Sequence, residues 1–197
     1  MICLAVHRSD SLVCMAGIAE GSMLTSIIAG GVGDEHPASF YVAGMQDLPV
    51  ERSAHVFWVH ERPLSAGDRL RFTLIESDDA SAPIEIKATD SQEYLEEQRE
   101  FEQIERHYVP PIASPPRRWP ALELGLRLRE ESPVRARLPL DQEHIMCSLL
   151  WDKWSPERCR VYVRSFTGFA QGTQRKTTDW LRGDLHVGDS FELSVLA

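Results

Sequence analysis

The chain has 197 residues, and its 43% hydrophobic and 26% charged content is that of one packed domain or two small ones. Its net charge of −9 disfavours general nucleic-acid binding, which needs a basic footprint. No apolar run approaches the roughly 20 residues of a membrane span, and Met1–His7 lacks a signal peptide's basic start, so a cytoplasmic protein is expected.

In chain order, Ile2/Leu4/Val6 and Leu12/Cys14/Ala16 alternate, which predicts a hairpin of strands 2–7 and 11–17 turned at Ser9-Asp10. Met23, Leu24, Ile27 and Ile28 carry the i, i+1, i+4, i+5 spacing of a buried helical face, so residues 20–30 are expected as a helix. Strands follow at 39–45, 55–60 and 69–76, the last two joined by the Gly67-Asp68 turn. Residues 89–108 begin with Asp90 as N-cap and Glu93 as its reciprocal acid, and place Tyr94, Phe101, Ile104 and Tyr108 on one face of an acidic helix. The Pro-rich run 110–116 ends that helix and stiffens a linker. The second half predicts strands 122–129 and 134–140, a helix at 142–152, and strands 159–166, 178–182 and 189–196.

The two halves read alike. Leu64-Ser-Ala-Gly-Asp68 and Leu185-His-Val-Gly-Asp189, each followed by alternating apolar positions, lie 121 residues apart. The same offset maps Tyr41-Val42 onto Tyr162-Val163, and an offset of 122 maps Trp58 onto Trp180, residues 22–28 onto 144–150, and Ile2/Leu4/Val6 onto Leu124/Leu126/Leu128. The expected fold class is therefore α+β, mainly antiparallel β, with two tandem ββαβββ pseudo-repeats. Residues 1–76 and 121–197 are the repeat subdomains, and 77–120 holds the acidic helix and the linker.

Asn is absent and Lys occurs at three positions against eighteen Arg, a bias that fits a GC-rich, bacterial genome. The four cysteines form no CxxC pair and suit a reducing compartment. Gly30-Gly31-Val32-Gly33 follows the expected helix rather than a strand and lacks a third phosphate-loop glycine, so it reads as a C-cap and turn. Cys3, His7 and Met15 are too few for a zinc site, and no metal or cofactor is expected. Asp68 and Asp189 follow glycines at hairpin corners and read as turn residues rather than a catalytic pair.

The hairpins differ on their outward faces: Cys3, Ala5, Val13 and Met15 in the first, Arg127, Arg129, Arg135 and Arg137 in the second. The apolar face needs a cover, for which the 89–108 helix is the nearest candidate. The four arginines, with Phe169, Arg175 and Lys176 in the 166–176 loop, form the candidate partner-binding surface. With no nucleophile–base or acid–base constellation, the expectation is a non-catalytic protein–protein interaction protein. By analogy of profile, it would bind and neutralise a partner as immunity or inhibitor proteins do, with room for a homo-oligomer. The alternative is a small-molecule or carbohydrate-binding β module, with Trp58, Tyr162 and Trp180 lining a cleft between the repeats.

Overall fold

A computed structural model describes residues 1–29, 36–107, 122–167 and 176–196, with the side chains of 24–29, 104 and 105 outside the description. The architecture is two antiparallel sheets around one core, with a single helix among the described residues. In the first half, β1 (Ile2–Arg8), β2 (Ser11–Gly17), β3 (Gly21–Ala29), β4 (Ala38–Leu48), β5 (Arg52–Leu64) and β6 (Arg69–Glu76) follow one another. Then come β7 (Glu85–Ala88) and α1 (Gln92–His107). The second half holds β8 (Glu123–Leu128), β9 (Val134–Arg137), β10 (His144–Asp152), β11 (Cys159–Phe166), β12 (Thr177–Leu185) and β13 (Ser190–Val195).

A six-stranded sheet runs β2-β1-β6-β13-β8-β9, and a seven-stranded sheet runs β12-β11-β10-β3-β4-β5-β7. Both sheets draw strands from both halves of the chain, joined at β6/β13 and β10/β3. Alternation sends Leu4, Val6, Phe72, Leu74, Leu126, Phe191 and Leu193 inward from the first sheet. Val42, Val56, Trp58, Cys147, Leu149, Val161 and Val163 meet them from the second, in one continuous cluster. Phe72 and Phe191 stack at 6.2 Å near its centre. Each such side chain contributes about 1.5–3 kcal/mol by leaving water, so this cluster dominates stability.

The structure corrects the two expected helices within the repeats. In their place stand the central strands β3 (Gly21–Ala29) and β10 (His144–Asp152), paired with each other and with β4 and β11. Along β10, Ile145, Cys147, Leu149 and Trp151 are buried and the residues between are half-buried, a period of two. The outward Met146 and Leu150 are apolar too, and the doublets they form with Cys147 and Leu149 imitate a helical stripe. Each half of the chain thus holds six strands where ββαβββ was expected. Strand β7, four residues long, was not expected; it extends the sheet by pairing with β5.

A second correction concerns what covers the first hairpin. Helix α1 does not lie on it; the segment 77–84 does. Ser81 N donates to Met15 O at 2.8 Å, Met15 N donates to Ser81 Oγ at 2.9 Å, and Trp58 Nε1 donates to Ser81 O at 2.9 Å. This segment pairs with Met15 on the edge of β2 and joins it to β5 of the other sheet, which shortens the unpaired edge. The Gly30–Gly33 run and the 110–116 linker lie outside the described residues. No helix among the described residues is long and apolar enough to cross a membrane.

Candidate functional site

Strands β8 and β9 present the expected arginines because Leu124, Leu126, Leu128 and Ala136 take the inward positions. Arg127, Arg135 and Arg137 then share the outer face, while Arg129 lies in the following turn with a φ of 55°. Carboxylates interleave with them. Arg127 pairs with Glu192 at 2.6 Å, Arg135 with Glu123 at 3.1 Å, and Arg129 with Glu131. Such exposed pairs are worth about 0–1 kcal/mol each, so they neutralise the face more than they stabilise it. Arg137 has no ion-pair partner among the described residues. Lys176 meets Asp141 at 2.9 Å, and Phe169 and Arg175 lie outside the described residues.

The three aromatic residues of the alternative cleft are not brought together. Trp58 is 4% exposed in the core. Trp180 packs against the core's margin, with Nε1 donating to Ser165 Oγ at 2.9 Å. Strands β5 and β12 are five sheet positions apart, roughly 24 Å at the usual strand spacing. Tyr162 faces outward between the guanidinium groups of Arg182 and Arg164, at 5.3 and 5.8 Å.

Helix α1 starts at Ser91, whose carbonyl accepts from Leu95 N at 3.1 Å and whose Oγ accepts from Tyr94 N at 3.3 Å. Asp90, the expected cap, is held instead by Arg52 at 2.7 Å. The first turns are tied to the sheet. Tyr94 Oη and His55 Nε2 are 3.1 Å apart with their rings stacked, and Lys87 Nζ lies 2.7 Å from Glu97 and 3.4 Å from Glu93. Hydrogen bonding to Glu97 above all holds the Lys87 ammonium well above its ordinary pKa, and burial lowers that of His55. Beyond that anchor the expected buried stripe fails. Leu95 is 42% and Phe101 58% exposed, because nothing among the described residues packs over the later turns; the side chain of Ile104 and Tyr108 lie outside them.

One feature was missed by sequence reasoning. On the outer face of the seven-stranded sheet, Tyr41, Ala43, Met45, Phe57 and Leu150 line an open depression of about 510 Å³. Its polar lining is Ser22, His55, His60 and Glu61. The walls come from four strands far apart in sequence, so no local motif announces it.

The four cysteines are buried and free, and burial pushes the thiols of Cys14 and Cys159 up to about 12, far from the nucleophilic thiolate range. Among the described residues no group of three His, Cys, Asp or Glu side chains is placed to hold a metal ion. Asp68 and Asp189 accept backbone bonds from Ser65 N at 2.7 Å and His186 N at 2.9 Å, which is turn chemistry. No family model, curated protein or solved structure matches the chain.

Proposed function

We propose that this protein is an internally duplicated β-sandwich that acts by binding a basic protein partner, without catalysis of its own. Register supports the duplication. Arg71 faces Glu192 across β6/β13, and Ser26 faces Ser148 across β3/β10. Those pairs are related by the same offsets, 121 and 122, that align the two halves of the sequence, as a pseudo-twofold axis through both sheets requires. The hairpins need a different offset from the one read in the sequence. Leu4 pairs with Leu74 and Leu124 with Val195, so the β1 match is 120 residues and not 122.

The binding reading is carried by α1: a helix of six glutamates, fixed by Ser91, Tyr94 and Lys87 at its start, that leaves Leu95 and Phe101 exposed. An amphipathic helix anchored at one end is suited to lie in a partner's apolar groove, and its charge selects a basic rim. The chain's overall charge of −9 adds long-range attraction for such a partner. Neutralisation in the manner of an immunity or inhibitor protein is the form this reading takes. The arginine face is the weaker surface, because three of its four cations are already met by carboxylates.

The test is co-purification of the full chain from its native host, with the partner identified by mass spectrometry. Leu95→Ala with Phe101→Ala should keep the wild-type melting temperature and lose a stoichiometric basic protein. Loss on Arg129→Glu with Arg137→Glu instead would move the interface to β8 and β9. Retention by both variants would remove both surfaces from the function.

A further inference from the structure

We infer that the depression on the outer face of the seven-stranded sheet binds a small hydrophobic cation: an amine, or a like group, on an aromatic or aliphatic body. Its volume of about 510 Å³ falls in the range of ligand sites, and Ala43, Met45, Phe57 and Leu150 give it an apolar floor. Tyr41 and Phe57 add aromatic surface, and aromatic rings attract positive charge through their quadrupoles.

The charge of the lining decides the ligand's sign. Glu61 receives a hydrogen bond from Ser39 Oγ at 2.6 Å on Oε1, which orients the carboxylate and leaves Oε2 without a partner among the described residues. His60 stands 3.3 Å from Glu85, a second carboxylate at the rim, and His55 Nε2 is engaged by Tyr94. Two of the neighbouring cations are spent, and a third, Arg62, pairs with the inward-facing Phe40 and so does not share the face of Glu61. Arg160, opposite Leu150, is held by Asp152 at 2.5 Å, and Lys87, opposite His55, by Glu85, Glu93 and Glu97. A bound anion would meet Glu61 and Glu85, with no Lys or Arg among the described residues that line the depression; a bound cation would meet Glu61 Oε2 at the end of an apolar floor. This site is separate from the exposed turns of α1, so its failure leaves the protein-binding reading intact.

Two probes with one ring system and opposite charge test it: 2-naphthylmethylamine and 2-naphthoic acid, titrated into the full chain at neutral pH by calorimetry. The amine should bind saturably and at least about tenfold more tightly than the acid. Glu61→Gln, at an exposed position, should keep the wild-type melting temperature and cost the amine about fivefold or more without weakening the acid. Phe57→Ala should weaken the amine whatever the charge at 61. Equal affinities, an amine indifferent to Glu61→Gln, or no saturable binding of the amine at millimolar concentration each overturn the proposal.

Discussion

Trp58 and Trp180 each occupy the unpaired position of a β-bulge. In the first half Val42 pairs with Val59 and Ala43 with Phe57, skipping Trp58; in the second Val163 pairs with Leu181 and Arg164 with Asp179, skipping Trp180. A bulge adds a residue to one strand, kinks it and re-aims one side chain. Here the re-aimed side chain is an indole in both places, and each finds a hydrogen-bond partner: Trp58 at Ser81 O, Trp180 at Ser165 Oγ. Matched irregularities are stronger support for common origin than matched strands, since alternation alone makes any two strands alike.

The two sites differ in burial, and that difference sets their energetic weight. Trp58 is almost wholly buried, whereas Trp180 is only partly so. Truncating a buried aromatic costs about 3–5 kcal/mol through lost transfer energy and the cavity left behind. Trp58→Ala should therefore lose about that much in chemical denaturation, and should also release Ser81 O from β5 while Ile84 N stays bonded to Phe57 O. Trp180→Ala should lose about half as much. Equal losses would show that the second bulge is packed as tightly as the first.

Most strands were legible in the sequence because large apolar residues alternate with polar or small ones, as they do even in β1, where Cys3 and Ala5 are buried as well. Ile2/Leu4/Val6 and Phe191/Leu193/Val195 alternate cleanly, and their boundaries fall within a residue or two of the expected ones. Strands β3 and β10 were misread for the opposite reason. In β10 the outward Met146 and Leu150 stay half-buried beside the inward Cys147 and Leu149, and these apolar doublets masked the alternation that His144, Ser148 and Asp152 keep. Helix α1 was legible from its composition and apolar spacing, though its cap is Ser91 and not the expected Asp90; the fate of its apolar stripe was not, because a sequence shows which residues seek cover and not whether anything reaches them. The depression was invisible for a geometric reason: Leu150 reaches Tyr41, Met45 and Phe57 only through the register of β10 on β3.

Asp68 offers a pH test. Arg8 Nη2 donates to Asp68 Oδ2 at 2.6 Å and Nε donates to Oδ1 at 3.2 Å, and this pairing holds the carboxyl below its ordinary range. A carboxyl with a depressed pKa in the folded state contributes stability that is present above its unfolded pKa, near 4, and lost as pH falls through the folded value. Asp68→Asn keeps the turn's shape and removes the charge. It should cost about 1–2 kcal/mol at neutral pH, less than a fully buried bond to a charged group because Arg8 is more than a third exposed. In thermal melts the gap between wild type and variant should persist down to about pH 4 and close below it. A gap independent of pH would mean that the turn bonds to Ser65, and not the ion pair, carry the effect.

Gly21 and Gly67 separate two costs that a glycine substitution normally confounds. Both have positive φ, at 140° and 93°, where side chains bring backbone strain. At Gly67, in the turn before β6, an added Cβ would meet nothing within 4 Å, so Gly67→Ala should cost strain alone, about 1 kcal/mol. Gly21 opens β3, opposite Gln46, and its carbonyl accepts from Lys153 N at 3.1 Å, which docks the β10–β11 turn. There an added Cβ would stand 2.0 Å from Met45 O, a backbone atom that cannot turn aside. Relief requires parting β3 from β4, the pair at the centre of the seven-stranded sheet. Gly21→Ala should therefore cost at least about 3 kcal/mol, the range reached when strain and lost packing combine. Urea denaturation of both variants checks this, and the same modest loss at both positions would show that β3 yields where this register holds it fast.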